Sequence, residues 1–295
     1  MKKTYWWRML PILGIWLLTG CGAEAPASDS AVEFAAEEVV LAAREALAEA
    51  DGYEADFEAV VAMANANETQ TSGTVTLAEE PLSMLVDIRM AFDDSEEMAY
   101  FDEKIYLEES GDAVSQFMNY NGQWTEMTLS PEDAMTGVQV YDTAGNMQIV
   151  LEAAENWQLT EKADGRLWMT AVIPEAKVYA VEEAGRLFQL TGMSGLSEVY
   201  FGNTGDIPVI FSFAEKTNAP LSYELDLAQA LETVTNNVLT ELGGGTLTAG
   251  VDVERYTITS ELTQLGGVDA VTVPEAARSS AINYEREISL LEAAE

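Results

Sequence analysis

Tyr53-Glu54-Ala55-Asp56-Phe57-Glu58-Ala59-Val60-Val61-Ala62-Met63 is the stretch that decides the fold. Tyr53, Ala55, Phe57, Ala59, Val61 and Met63 alternate with Glu54, Asp56 and Glu58. Successive side chains of a strand point to opposite faces, so this spacing predicts one long strand with one apolar face. Leu82, Met84, Val86, Ile88, Met90 and Phe92 repeat the pattern against Ser83, Asp87 and Arg89. A polar turn region is expected over 65–72 and a return strand over 73–77, with Glu80-Pro81 as punctuation. Strands at 98–101 and 104–108 are expected around a turn at Asp102-Glu103. Strands at 117–120 and 123–129 flank Asn121-Gly122, the strongest short hairpin signal. Residues 53–129 therefore read as an antiparallel meander.

Upstream, Ser30 and Glu33 fit a capping box. Ala36, Val40, Ala43, Leu47 and Ala50 then recur at helical spacing until Asp51-Gly52, so an amphipathic helix must lay this stripe on the sheet. Downstream, Ser130-Pro131-Glu132-Asp133 opens a helical middle, with Pro in the first turn. A helix is expected over 147–157, carrying Ile149, Val150, Ala153, Ala154 and Trp157. Strands follow at 158–162 and 166–172 around Asp164-Gly165, then a helix over 174–190. Further strands are expected at 196–201, 208–216 and 221–227, then a helix over 228–242 stopped by Gly243-Gly244-Gly245. Strands at 246–253 and 255–262 and a short one at Val271-Thr272-Val273 complete the set. Pro274-Glu275 opens a final helix or tail. Two strand-rich halves with few crossover helices predict an α+β fold rather than a doubly wound parallel one. Its core is one large curved antiparallel sheet with amphipathic helices covering the concave face.

The N-terminus reads as an address. Lys2, Lys3 and Arg8 precede an apolar run over 9–18 that is too short to span a bilayer. Leu18-Thr19-Gly20-Cys21 ends it and resembles the bacterial lipobox, which implies acylation of Cys21 as the first mature residue. The expected organisation is a signal peptide at 1–20, a flexible tether at 21–30, the α+β domain at 31–278 and a tail or helix at 279–295. The expected location is the extracytoplasmic face of a cell membrane, with Cys21 as the lipid anchor.

Composition excludes several chemistries. Loss of Lys2, Lys3 and Arg8 with the signal takes the net charge from −37 to −40. Such a chain repels nucleic acid and anionic headgroups, which need basic patches. The sequence contains no His, and Cys21 is its single Cys. Ser-His-Asp and Cys-His catalysis and His-containing zinc sites are thereby removed, and without disulfides the domain needs a substantial apolar core. No cofactor and no enzymatic activity are expected; a hydrolase using paired carboxylates ranks last, because no pair stands out among 51 acidic residues.

The order of these features resembles the LolA/LolB-like superfamily of lipoprotein and lipid carriers, and more closely its uncharacterised relatives among Firmicute lipoproteins. The carrying residues are the lipobox at Cys21, Glu45-Ala46-Leu47 and the junction to Tyr53, Asn121-Gly122-Gln123-Trp124, and Val271-Thr272-Val273-Pro274-Glu275-Ala276. The resemblance spans most of residues 32–277. It implies a half-open barrel of antiparallel strands with helices as a lid, and in some members an apolar cavity for acyl chains. The helix at 228–242 and the extreme acidity depart from it, and no functional residue is carried over.

Other candidate sites have plain alternatives. Asp93-Asp94-Ser95-Glu96-Glu97 offers oxygens for a weak surface Ca²⁺, but lacks EF-hand spacing and also reads as a solvated turn. Trp124, Trp157 and Trp168 suit sugar stacking or a core. Met63, Met84, Met90, Met98, Met118, Met127, Met147, Met169 and Met193 suit a pliable acyl pocket or ordinary core filling. Gly243-Gly244-Gly245 lacks the Lys-Ser/Thr of a P-loop. The expected function is a membrane-anchored, non-enzymatic binding module for a lipid or other apolar ligand. The alternative is a structural envelope lipoprotein with a filled core and a protein partner. With no basic face to grip lipid, Cys21 is the expected membrane attachment. Cys21→Ser should move the protein to the soluble fraction on cell fractionation; retention on membranes would refute the anchor.

Overall fold

The computed structural model describes residues 35–64, 66–94, 97–245 and 250–283. The expected signal, lipobox and tether, the Ser30–Glu33 box and residues 284–295 lie outside the described residues. So do Ser95 and Glu96 of the acidic turn, and residues 246–249.

Helix α1 (Ala36–Ala48) buries Val40, Ala43 and Leu47 of the stripe read from the sequence, and Val39 beside them, while Ala36 and Ala50 are half-buried. A meander of six strands follows: β1 (Gly52–Met63), β2 (Thr69–Glu79), β3 (Leu82–Asp94), β4 (Glu97–Ser110), β5 (Ala113–Tyr120) and β6 (Gln123–Leu129). Two helices come next, α2 (Pro131–Val138) and α3 (Thr143–Ala153). Then come β7 (Glu155–Ala163), β8 (Arg166–Ile173), α4 (Glu175–Gly185), β9 (Ile207–Ala214), β10 (Pro220–Asp226) and α5 (Ala228–Leu242). The chain continues through β11 (Val253–Leu265), α6 (Glu275–Ser280) and β12 (Ile282–Asn283).

Among the described residues, twelve strands form one open sheet in the order β12-β6-β5-β4-β3-β2-β1-β11-β10-β9-β8-β7. The protein is thus α+β with one large, unclosed sheet, antiparallel throughout except where β12 runs parallel to β6. The two strand-rich halves meet where β1 pairs with β11, Tyr53 opposite Leu265 and Met63 opposite Val253. At Asn121 (φ 50°) and Gly122 (φ 86°) both turn residues are left-handed, as a two-residue hairpin of matching twist requires.

Alternation gives the sheet two apolar faces of unequal size. One carries Tyr53, Ala55, Phe57 and Ala59 of β1 and Met84, Val86 and Ile88 of β3, all buried. It meets the helices: Phe57 packs on Tyr141 at 5.4 Å, and α1 and α3 contact each other and β-strands. Farther along the sheet α5 packs on β11. The opposite face of β3–β6 carries a smaller cluster of Tyr106, Phe117 and Trp124, covered by Val271, Val273 and Ala277. Arg278 pins this cover, with both guanidinium contacts to Glu108 (2.6 and 2.5 Å) and its charge 5.5 Å from the Phe117 ring.

Several expectations are corrected. The turn at Asp102-Glu103 is absent because β4 pairs with β3 from Glu97 to Glu108; Asp102 lies opposite Arg89 and binds it at 2.8 Å. Charges there face water, which a strand tolerates on one face. The helix over 147–157 begins earlier and ends at Ala153, and Trp157 sits on β7 against Phe211 at 5.6 Å. The helix over 174–190 stops at Gly185, where Arg186 turns left-handed (φ 51°) and a 3₁₀ turn (Leu187–Thr191) follows. Residues 198–201 form a 3₁₀ turn rather than a strand, and 271–273 are extended without a ladder, held by Val271 N–H on Ser83 Oγ at 3.0 Å. Of the strand expected over 246–253, only Val253 is in a strand among the described residues.

Gly73 on β2 lies opposite Phe57 of β1, whose ring covers it. A Cβ there would stand 2.2 Å from Asp87 O and 2.8 Å from the ring. Gly73→Ala should therefore cost about 2–3 kcal/mol, as overpacking does, read as a lower urea midpoint with an unchanged slope. An unaltered midpoint would show that this crossing is not tight.

Candidate functional site

A half-open cleft of about 510 Å³ lies where α1 ends and β1 begins. Its apolar walls are Leu47, Leu77, Leu82 and Met135, with Ala48, Ala50 and Ala144 at the edges. Its polar lining consists of Tyr53, Asp142, Glu79 and Gln148. Four separate pieces of chain build it: the end of α1, the β2–β3 turn, α2 and the first turn of α3.

The polar floor is organised by the N-terminus of α3. A helix start leaves four N–H groups without intrahelical partners. Asp142 caps this one, its Oδ1 accepting Gly145 N–H at 3.0 Å while its carbonyl accepts Asn146 N–H at 2.8 Å. Gly145 is required here, because a Cβ on it would stand 2.2 Å from Asp142 Oδ2. Tyr53 O–H donates to Asp142 Oδ1 at 2.9 Å, and the N–H groups of Thr143 and Ala144 favour its ionised oxygen. Asp142 N–H, the first of the four, binds the Gln139 carbonyl at 3.0 Å.

Burial sets the protonation of this pair. Burial, then the Asp142 charge, pushes the Tyr53 phenol well above its ordinary value, so Tyr53 remains a donor. Burial also raises Asp142, opposed by Gly145 N–H, the Tyr53 hydroxyl and the Gln139 side chain. The floor can accept hydrogen bonds and positive charge. A phenol held so firmly protonated is no base near neutrality.

A second buried carboxyl lies elsewhere. Glu182, 8% exposed, ends α4 and accepts Phe188 N–H at 2.9 Å, locking the turn after left-handed Arg186. Tyr256 O–H donates to the neighbouring Leu187 carbonyl. Burial pushes Glu182 up to about 7, although the Phe188 and Leu187 N–H groups and Arg186 pull it down.

The residues singled out from the sequence are dispersed. Met84, Met147 and Met169 are fully buried core, Met63, Met90, Met118, Met127 and Met193 are half-buried, and none of them lines the cleft. The methionine that does is Met135. Trp124 belongs to the small cluster under α6, and Trp157 to the packing of β7 on β9. Gly243-Gly244-Gly245 follows α5 as a helix stop. Asp94 pairs with Glu97 at a hairpin end whose tip is outside the described residues. Among the described residues, no three His, Cys, Asp or Glu side chains are grouped to hold a metal ion. The Tyr53–Asp142 pair was not singled out, although Asp142-x-x-Gly145 before an apolar run is a legible cap.

Glu182 yields a pH prediction. Its proton is held more tightly folded (about 7) than unfolded (4.5), so its stabilising contribution is complete below about pH 4.5 and lost as pH rises through about 7. Across that window the native protein should lose on the order of 3 kcal/mol from this group. Glu182→Gln should flatten the decline in chemical denaturation while keeping an acceptor for Phe188 N–H. Parallel pH profiles for the two proteins would contradict the assignment.

Comparison with known proteins adds little. No family model matches the chain, and no curated protein matches it. Among solved structures thirteen chains match. One is a beta-barrel-like protein of a domain of unknown function, DUF1849, from Brucella abortus, with 10% sequence identity, 76% of this chain and 99% of that chain covered, and a TM-score of 0.15.

Proposed function

We propose that this chain is a membrane-anchored lipoprotein, tethered through Cys21 on the extracytoplasmic face, that binds one apolar or amphiphilic ligand in the cleft between α1, the β2–β3 turn and α3. On this reading the unclosed sheet is a half-open barrel and the helices cover its concave face. The observation that carries the reading is the cleft itself. Its volume of about 510 Å³ falls within the usual range for small-molecule sites, and apolar walls around a few convergent polar groups are their usual lining. Ten buried methylenes would contribute about 8 kcal/mol gross, equivalent to about 1 μM before the cost of association, so an affinity weaker than that is expected. Among the described residues no helix is long and apolar enough to cross a membrane, so on this reading attachment falls to Cys21.

Blocking the cleft tests the reading. Ala48 is exposed and lines the mouth. Ala48→Trp should weaken binding of an apolar fluorescent probe such as N-phenyl-1-naphthylamine by ~10-fold or more, a loss of about 1.4 kcal/mol. As a surface change it should shift stability by no more than about 0.5 kcal/mol. Full probe binding by this variant would move the site elsewhere. No binding by the unmodified protein, together with a ligand-free mass in native mass spectrometry, would instead favour the filled-core structural lipoprotein.

A further inference from the structure

The polar groups of the cleft are not indifferent to what enters. We infer that the cleft selects an apolar chain with a cationic amine head, and rejects the corresponding carboxylate. This rests on the binding reading above and specifies its ligand class.

Helix N-termini ordinarily attract anions through unsatisfied N–H groups. At α3 the Asp142 carboxyl already occupies that place. Gly145 N–H serves Asp142 Oδ1, Asp142 N–H serves the Gln139 carbonyl, and the Thr143 and Ala144 N–H groups act on the Tyr53 oxygen. The Tyr53 hydroxyl proton is spent on Asp142 as well. The side chains that remain open to a ligand are acceptors. An ionised carboxylate has about four acceptor positions, and Tyr53 and Gly145 take two at Asp142, both on Oδ1. Glu79 adds a second carboxylate to the lining. Gln148, also in the lining, turns its amide N–H to Glu152 at 2.6 Å and so offers no donor through it, while its buried side-chain oxygen has no hydrogen-bond donor among the described residues. Among the described residues, no Lys or Arg lines the cleft. An anionic head would meet like charge with nothing to receive it, whereas an ammonium brings three donors and no acceptor. Leu47, Leu77, Leu82 and Met135 receive the chain.

The experiment uses the full Cys21→Ser chain and three probes with one tail: dodecylamine, dodecanol and dodecanoate, each below its aggregation concentration. Isothermal titration at fixed ionic strength should give affinity in the order amine, alcohol, acid, with the amine at least ~10-fold tighter than the alcohol, as expected for one charge-assisted contact. Asp142→Asn should bring amine and alcohol close together, weakening the amine by more than it weakens dodecanol, because only the amine loses a charge partner. Asn is itself a good N-cap, so α3 keeps its start. Glu79→Gln, at an exposed rim position, should reduce the preference in part. The variant comparison separates the cleft from general attraction to an acidic protein, since one charge in so many alters the latter little. Equal binding of all three probes, or tightest binding of the acid, overturns the amine assignment and leaves apolar binding standing. Binding of none overturns both. The same amine displayed in phosphatidylcholine vesicles distinguishes the source: capture of the free amine supports a single molecule in the cleft, and binding to the vesicle alone overturns the assignment.

Discussion

The pairing of β1 with β11 is the constraint on which the rest depends. These strands lie some two hundred residues apart and join the two halves into one sheet along eleven paired positions. Each half is otherwise a run of neighbours: β1 to β6 outward on one side, β11 back to β7 on the other. Without the β1–β11 seam neither half has a partner for its innermost edge, and unpaired backbone groups at that edge would be costly to bury. The apolar face that runs across the seam, from Tyr53 and Phe57 to Tyr256 and Ile258, is also the floor on which the helices rest.

The cleft is a consequence of how that floor is covered. The end of α1 must pass into β1 through Asp51-Gly52, and α3 must start beside Tyr53 for the hydroxyl to meet Asp142. The two helices contact each other, and Arg44 binds Glu152 at 2.9 Å. Between the α1 end and the α3 start the packing leaves room, and the groups lining it are those that fix the helix start. Capping, burial and cleft chemistry are therefore one arrangement. Removing Tyr53 O–H would take one of the two donors from Asp142 Oδ1, and loss of a buried hydrogen bond costs on the order of 1–3 kcal/mol.

Much of the fold was legible because its signals are local. The alternation over 53–63 and 82–92 reappears as β1 and β3, Asn121-Gly122 is the hairpin, and the helix at 228–242 has the expected bounds. Errors fell where local polarity argued against a tertiary arrangement. Asp102 and Glu103 look like a turn until Arg89 and Ile88 stand opposite them. The helix over 174–190 lacks a visible stop, because Arg186 adopts a left-handed conformation that Glu182 and the Phe188 N–H support. The site was less legible still. Tyr53 and Asp142 are 89 residues apart, and each had a sufficient local role, one as a core aromatic and the other as a helix cap. The methionines that suggested a pocket went to the core or to half-buried positions, and Met135 entered the cleft only because α2 folds over the β5–β6 end.

The seam also dictates an order of events during synthesis. Residues 53–129 can form their meander as soon as they emerge, since neighbouring strands close short loops. The outer edge of β1 must then wait for residues 253–265. Over that interval it is a long, flat edge carrying Phe57, Val60 and Val61, the kind of template on which chains aggregate. Glu54, Asp56 and Glu58 stand along the same strand on its solvent face. They contribute little to the finished core, and their repulsion between like copies would guard the waiting edge. The acidity of this strand would thus serve in time as well as in space, guarding an incomplete sheet until β11 arrives to pair with it.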